Sequence, residues 1–284
     1  PYDPDDGRSS PTYSETPPTT YKHRAFPWLS EPHPCLKHRL TSSDASQPTF
    51  RSAAFGALHA LVADHVVQGR VIFPGAGYLE VARGAWCANT ISSAALRGVF
   101  FLQPLAVEVA GLHVECSVGG DGRFEVRSGM VEEGLLAEAS SHCTGVVGAQ
   151  AVASSFDGAL LRVEGCTYAL EAASVYKSFR TMGLQYGPDY RTLQEVWVGG
   201  GGAGVSQLRR RASQQGTQVH PADLDGALQL TGAAALAGDS DGETRLPFAV
   251  DEALLGGAAG RPWAVRALPL SLACPCPSLS DLRL

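Results

Sequence analysis

Two short stretches hold side chains suited to proton transfer. In DHVVQGRVIFPGAGYLE, His65 is followed by Gly69 and Pro74, so that H-x-x-x-G-x-x-x-x-P runs directly into an apolar segment. In HPADLDGALQL, residues 220–230, Asp225 is followed four places on by Gln229. An imidazole stays largely neutral yet basic near pH 7, as a proton acceptor requires. A carboxyl group donates only while protonated, which needs an apolar, water-poor setting that raises its pKa. Leu224, Ala227 and Leu228 provide such neighbours for Asp225. On a helix, residues four apart share a face, so the Gln229 amide can hydrogen-bond the Asp225 carboxyl and fix its orientation. Taken alone, a histidine beside two valines ordinarily has a structural role; the company it keeps gives His65 its weight.

The elements that would carry these groups follow from periodicity. Tyr78–Ala88 has apolar residues at 78, 79, 81, 82, 85 and 86, a pattern of a largely buried helix. Leu112–Val118 alternates apolar and polar, as does FEV after the turn GGDG at 119–122, which predicts antiparallel strands. A second unit is expected from near Leu160, beyond the Gly/Ala/Ser-rich stretch 144–159. It holds a helix over 171–182, strands over 195–198 and 205–211 around GGGGAG, and a helix over 223–236. The glycine run at 199–202 lacks the Lys-Ser/Thr of a phosphate loop and reads as a hairpin turn. Each half thus sets an apolar helix among several strands, which suggests duplication of one α+β unit.

Composition bounds the remainder. With 284 residues and 44% hydrophobic content the chain can bury a full core in one large domain or two packed subdomains. A net charge of -6 with 18% charged residues argues against a nucleic-acid binder. No apolar run approaches a membrane span and the N-terminal stretch has no apolar h-region behind a basic start, so a cytoplasmic chain is expected. Residues 1–25 are rich in Pro, Ser, Thr and Asp, the composition of an interdomain linker. Seven scattered cysteines, Cys274-x-Cys276 included, suit neither a disulfide framework nor a metal site, so reduced thiols and no metal are expected.

The ordered set of motifs resembles the dehydratase domains of polyketide synthases. To the two motifs above it adds Tyr186-Gly187-Pro188-Asp189-Tyr190, which fits Y-G-P-x-F/Y, and LPF at 246–248; His220, Pro221 and Leu224 complete H-P-x-x-L-D-x-x-x-Q. The stretch YKHRAFPWLSEPHPCL at 21–36 is similar to the linker and first strand that follow an acyltransferase domain. The resemblance implies an α+β double hotdog, two tandem curved antiparallel sheets each wrapped around a central helix. Residues 26–150 would form the half carrying the catalytic histidine and 151–284 the half carrying the catalytic aspartate.

It also implies the reaction: syn elimination of water from a 3-hydroxyacyl thioester on an acyl carrier protein, giving a trans-2-enoyl thioester. His65 would remove the C2 proton, and Asp225 would protonate the departing hydroxyl. Gln229 would orient Asp225, and Tyr186 would bind the substrate hydroxyl or line the tunnel. Gly69 would permit a tight bend or a close backbone approach, and Pro74 would stiffen the entry to the helix. Gly75 and Ala76 would then offer backbone N–H groups to the thioester carbonyl near the helix's positive end. His220 is expected at a turn or strand end and Asp223 in solvent, since residues two apart on a helix point apart. The Arg run at 209–211 is expected to be a solvated strand end, and His33 to be structural.

No cofactor is expected, because the phosphopantetheine arm of the carrier protein brings the substrate. Partners would be that carrier, neighbouring synthase domains and a second copy in a homodimer, with no nucleic acid and no membrane. The ending SDLRL reads as an excision point one strand short of the family pattern, which would leave a sheet edge exposed. Rival readings are a double-hotdog isomerase or cyclase, the product-template type included, and a catalytically silent scaffold module.

Overall fold

The computed structural model describes residues 33–40, 47–88, 94–149, 166, 168–200, 203–236, 246–255, 263–266 and 281–283. The expected linker 1–25, Cys274 and Cys276 lie outside them. Alternating residues build the first sheet. Strands β6 (Leu112–Val118) and β7 (Arg123–Glu132) pair antiparallel through the GGDG turn, with Val118 opposite Phe124. Their neighbours are β2 (Thr49–Ala53) and β1 (His38–Leu40) on one side, with β8 (Leu135–Ala149) and β5 (Ala94–Phe101) on the other. The stretch 144–159, expected to separate the halves, therefore begins inside β8, where Ala149 pairs with Ala94. Chain-distant strands extend the sheet: β13 (Ala249–Leu255) pairs antiparallel with β5, and β15 (Asp281–Arg283) lies parallel beside β13.

Helix α2 (Gly75–Cys87) lies against β5–β8 and β13. It follows a one-turn helix, α1 (His59–Val62). Residues Ala76–Ala85 of α2 are all buried, Glu80 and Arg83 among them. A helix enclosed on every side has no polar face to show in its sequence, which is why its start was set three residues late, at Tyr78.

The second sheet runs β14-β12-β11-β9, made of Trp263–Arg266, Gly204–Leu208, Leu193–Val198 and Tyr168–Glu171. Helix α3 (Ala172–Thr181) buries Val175 and Phe179, one helical turn apart. Helix α4 (Pro221–Leu236) packs on β11, β12 and β14, and also on α2. A three-stranded ribbon, β10 (Leu184–Tyr186), β3 (His65–Val67) and β4 (Arg70–Val71), joins chain segments more than 110 residues apart. Two sheets with two central helices make a double hotdog, as the resemblance implies. Among the described residues no helix is long and apolar enough to cross a membrane.

Candidate active site

The H-x-x-x-G spacing is the geometry of a hairpin. Gln68 (φ 49) and Gly69 (φ 78) occupy the two central positions of the turn between β3 and β4, both left-handed, the pattern that suits a tight two-residue hairpin. No heavy atom lies within 4 Å of where a Gly69 side chain would start, so Gly69 serves a tight bend and not a close approach. The turn brings Ile72 back opposite His65, where Ile72 N–H donates to His65 O (3.1 Å) and the His65 ring Nδ1 lies 2.7 Å from Ile72 O. A carbonyl can only accept, so Nδ1 carries the ring proton and Nε2 is left as the acceptor. Pro74, extended at φ -70, is the N-cap of α2.

Nε2 faces Asp225 Oδ1 at 3.9 Å, too far for a hydrogen bond between them. Both residues are buried, at 5% and 4% exposure. Burial pushes the Asp225 carboxyl above its ordinary range, against the opposing effects of His65 and of the Gln229 hydrogen bond. The other carboxyl oxygen, Oδ2, accepts from Gln229 Nε2 (2.7 Å), which also donates to Tyr190 O (2.9 Å). Gln229 Oε1 in turn accepts from the Tyr176 hydroxyl (2.8 Å). Tyr176 is one of the residues that sequence reasoning missed; its place in the middle of a short, polar-faced helix gave no sign of an inward role.

Asp64 is another. Its backbone O accepts from Gly187 N–H (2.8 Å) and its Oδ2 from Asp189 N–H (2.7 Å), so the residue beside His65 holds the Y-G-P-D loop. A side chain at Gly187 would overlap that carboxylate, which explains the glycine. Tyr186 then pairs across β10–β3 with His65, their rings 5.6 Å apart, while the Tyr190 ring lies 5.4 Å from His65. Pro188 gives its carbonyl to Arg209 (2.7 Å).

A cavity of about 690 Å³ opens from this pair. Its walls include His65, Tyr186, Asp225, Gln229 and Gly75, and otherwise mostly apolar groups such as Phe73, Phe101, Phe179 and Leu228. Gly75 lies on the wall at the start of α2, and a side chain there would press on Phe101 and Pro247. Ala76 is fully buried and is not on the wall. Pro247 and Phe248 of the LPF motif line the same cavity.

Two expectations change, and a third is sharpened. Asp223 is buried, not solvated: its Oδ1 accepts from Arg211 Nε (3.2 Å) and NH2 (3.1 Å). Helix α4 is enclosed on more than one face, so the side away from Asp225 meets protein rather than water. Arg211, expected in a solvated strand end, is consequently drawn in, with its side chain 9% exposed, and β12 ends at Leu208. His220 stands at a boundary as expected, but as the residue before α4: its Nδ1 accepts from Ala222 N–H (3.1 Å) and its O from Asp223 and Leu224. Burial, aided by the charge of Arg211 and opposed by Glu80, pushes its pKa down to about 3, and it is not on the cavity wall.

A buried ionic cluster, also unanticipated, ties α2 to the segment entering α4. Arg83 grips Glu80 through Nε (2.6 Å) and NH2 (2.7 Å) and donates through NH1 to Gln218 Oε1 (2.5 Å). Glu80 Oε1 accepts from Gln218 N–H (2.7 Å) and lies 3.6 Å from His33 Nε2, which supports the structural role expected of His33. Cys35, Cys87, Cys116, Cys143 and Cys166 are not in disulfides, and burial raises Cys116 to about 12.

A family model for the polyketide synthase dehydratase domain matches residues 33–129, and one for the polyketide synthase dehydratase N-terminal domain matches 160–268. Polyketide synthase ThaG of Burkholderia thailandensis is 32% identical over 190 residues, 63% of this chain and 3% of its own length. Polyketide synthase PksM of Bacillus subtilis is 29% identical over 246 residues, 78% of this chain and 6% of its own length. A relative from Mycobacterium tuberculosis, 30% identical over 218 residues, 70% of this chain and 13% of its own length, carries the word inactive in its name. The chain thus spans a small part of the curated relatives it matches. The dehydratase domain from the CurK module of curacin polyketide synthase superposes with a TM-score of 0.72 at 21% identity, over 84% of this chain and 89% of that one. The corresponding domain from the CurF module gives 0.69 at 24% identity, over 82% and 87%. At these identities the structural likeness speaks for the fold.

Proposed function

The chain belongs to the polyketide synthase dehydratase family, and from that premise we propose that it removes water from a 3-hydroxyacyl thioester carried on an acyl carrier protein. The observation that carries this reading is the pairing of an imidazole whose tautomer leaves Nε2 as acceptor with a carboxyl that burial favours protonated, 3.9 Å apart on one cavity wall. His65 Nε2 takes the C2 proton, the C2 electron pair becomes the C2=C3 bond, and the C3–O bond breaks as Asp225 gives its proton to the leaving hydroxyl. The products are the trans-2-enoyl thioester and water. Imidazolium and carboxylate remain, and a proton returns from one to the other to reset the pair. The Gly75 N–H at the start of α2 suits the thioester carbonyl as negative charge develops on it. Tyr186, beside His65, shapes the approach of the substrate hydroxyl.

The apolar walls keep water from the pair and so sustain the neutral acid. The phosphopantetheine arm of the carrier would deliver the acyl group, so the domain needs no cofactor of its own. Residues 26–150 and 151–284 serve as the histidine-bearing and aspartate-bearing halves. Neighbouring synthase domains, and a second copy of this one, are its proposed partners.

The test is mass spectrometry of a 3-hydroxyacyl pantetheine thioester incubated with the domain. Loss of one water is expected, and His65→Ala and Asp225→Asn should each abolish it with circular dichroism unchanged. A rearranged product of unchanged mass would replace dehydration by isomerisation or cyclisation. Intact substrate would favour the silent module that the name of the mycobacterial relative brings to mind. A wild-type rate from Asp225→Asn would remove the acid assignment.

A further inference from the structure

We propose that Tyr176 is a positioning residue for the acid, committing the transferable proton of Asp225 to Oδ1 by way of the Gln229 amide. This rests on the role of Asp225 as the acid. A carboxylic acid has two oxygens and one proton, and only a proton on Oδ1, the oxygen turned toward His65, is placed for delivery. The choice is made by what Oδ2 meets. Gln229 offers an N–H there, and an oxygen accepting a hydrogen bond from an N–H 2.7 Å away has no acceptor in that direction for a proton of its own.

The amide can face this way only if its own oxygen is satisfied. Tyr176 meets that condition through a relay. Its hydroxyl oxygen accepts Leu193 N–H (2.9 Å), so its single proton is directed onward to Gln229 Oε1 (2.8 Å). Tyr190 O receives the second amide N–H (2.9 Å), which closes the set: one acceptance and two donations. In the reversed orientation, amide oxygen would oppose both Tyr190 O and Asp225 Oδ2. The chain Leu193 N–H, Tyr176, Gln229, Asp225 thus runs in one direction from β11 through α3 to the acid on α4. The Tyr176 ring is held by Phe179 and Tyr186, at 6.0 and 6.1 Å between ring centres, contacts that phenylalanine would keep.

The test compares wild type with Tyr176→Phe, using ¹³Cγ-aspartate NMR to follow the Asp225 carboxyl, assigned by its absence in Asp225→Asn. Without the tyrosine proton the amide donates less firmly to Oδ2, the carboxylate loses stabilisation, and the Asp225 midpoint should rise. In turnover, kcat should fall about tenfold, the size expected for one hydrogen bond to an ionising group, with KM nearly unchanged and the alkaline limb moved to higher pH. In a Gln229→Ala background Tyr176→Phe should change neither quantity. Should Tyr176→Phe fold poorly, 3,5-difluorotyrosine at 176 keeps the shape, donates more strongly, and should move the midpoint the opposite way. An unmoved Asp225 midpoint, or the same loss with and without Gln229, overturns the proposal. The midpoint is read without substrate, so a domain that fails to dehydrate would refute the function while leaving this test intact.

Discussion

Replacing Glu80 with alanine should strip the seam between α2 and the entry to α4 of the carboxylate that pairs with Arg83. Glu80 is 1% exposed and Arg83 5%, and their two hydrogen bonds are 2.6 and 2.7 Å. In the variant the guanidinium stays buried without its carboxylate, and orphaning one member of a buried pair costs about 3–5 kcal/mol. Gln218, whose N–H also loses its acceptor, is exposed and can turn to water, so it adds little. At about 2–4 °C per kcal/mol for a domain of this size, Tm should fall by roughly 6–20 °C. The sign with pH follows from the carboxyl itself. Burial raises its pKa, but the hydrogen bonds and charges of His33 and Arg83 outweigh that and hold it below the usual value of 4.5. Its contribution is therefore complete above that value and is lost as pH falls through the lowered one. Urea unfolding followed by tryptophan fluorescence should show the full difference at pH 7 and convergence in acid. Pairing Glu80→Leu with Arg83→Met should recover most of the loss, because no charge is then stranded. A loss under about 1 kcal/mol at pH 7, the scale of an exposed pair, would refute the reasoning, as would a difference that persists undiminished into acid.

Asp225→Asn, expected to be inactive, should be more stable than wild type at pH 8. The folded-state pKa of Asp225 is raised by burial above the ordinary 3.8, so the native state holds a proton that the unfolded chain releases, and stability declines as pH rises through that interval. Thermal melts should show the advantage of the variant shrinking as pH is lowered toward 3.8, and equal Tm values at pH 8 would contradict it. His220→Ala should keep its turnover number and lose about 1 kcal/mol in urea titration, the effect of an N-cap, with His220→Asn restoring the loss. A hundredfold fall in kcat without destabilisation would give His220 a chemical role instead.

What could be read from the sequence is what neighbours along the chain decide. The H-x-x-x-G spacing implies a bend, because a left-handed turn at Gln68–Gly69 is a local matter, and the D-x-x-x-Q spacing implies a shared helical face for Asp225 and Gln229. Alternation at Leu112–Val118 likewise located a strand to the residue. Desolvation is not local: the apolar neighbours of Asp225 pointed the right way, but for Asp223 the reading failed. Helical geometry alone assigns Asp223 to water, yet it is buried and paired with Arg211, which itself bonds Asp189 O. Tyr176 shows no inward sign until α3 is laid beside α4, 53 residues away, and Asp64 none until its carboxylate meets Asp189, 125 residues on. By itself, then, the chain specified which groups could give and take a proton and the turns that present them. Only the tertiary structure decided which polar groups lose their water and what replaces it, since burial depends on segments far apart in sequence coming together, and that is what raises one carboxyl, orients one amide and leaves one imidazole nitrogen free.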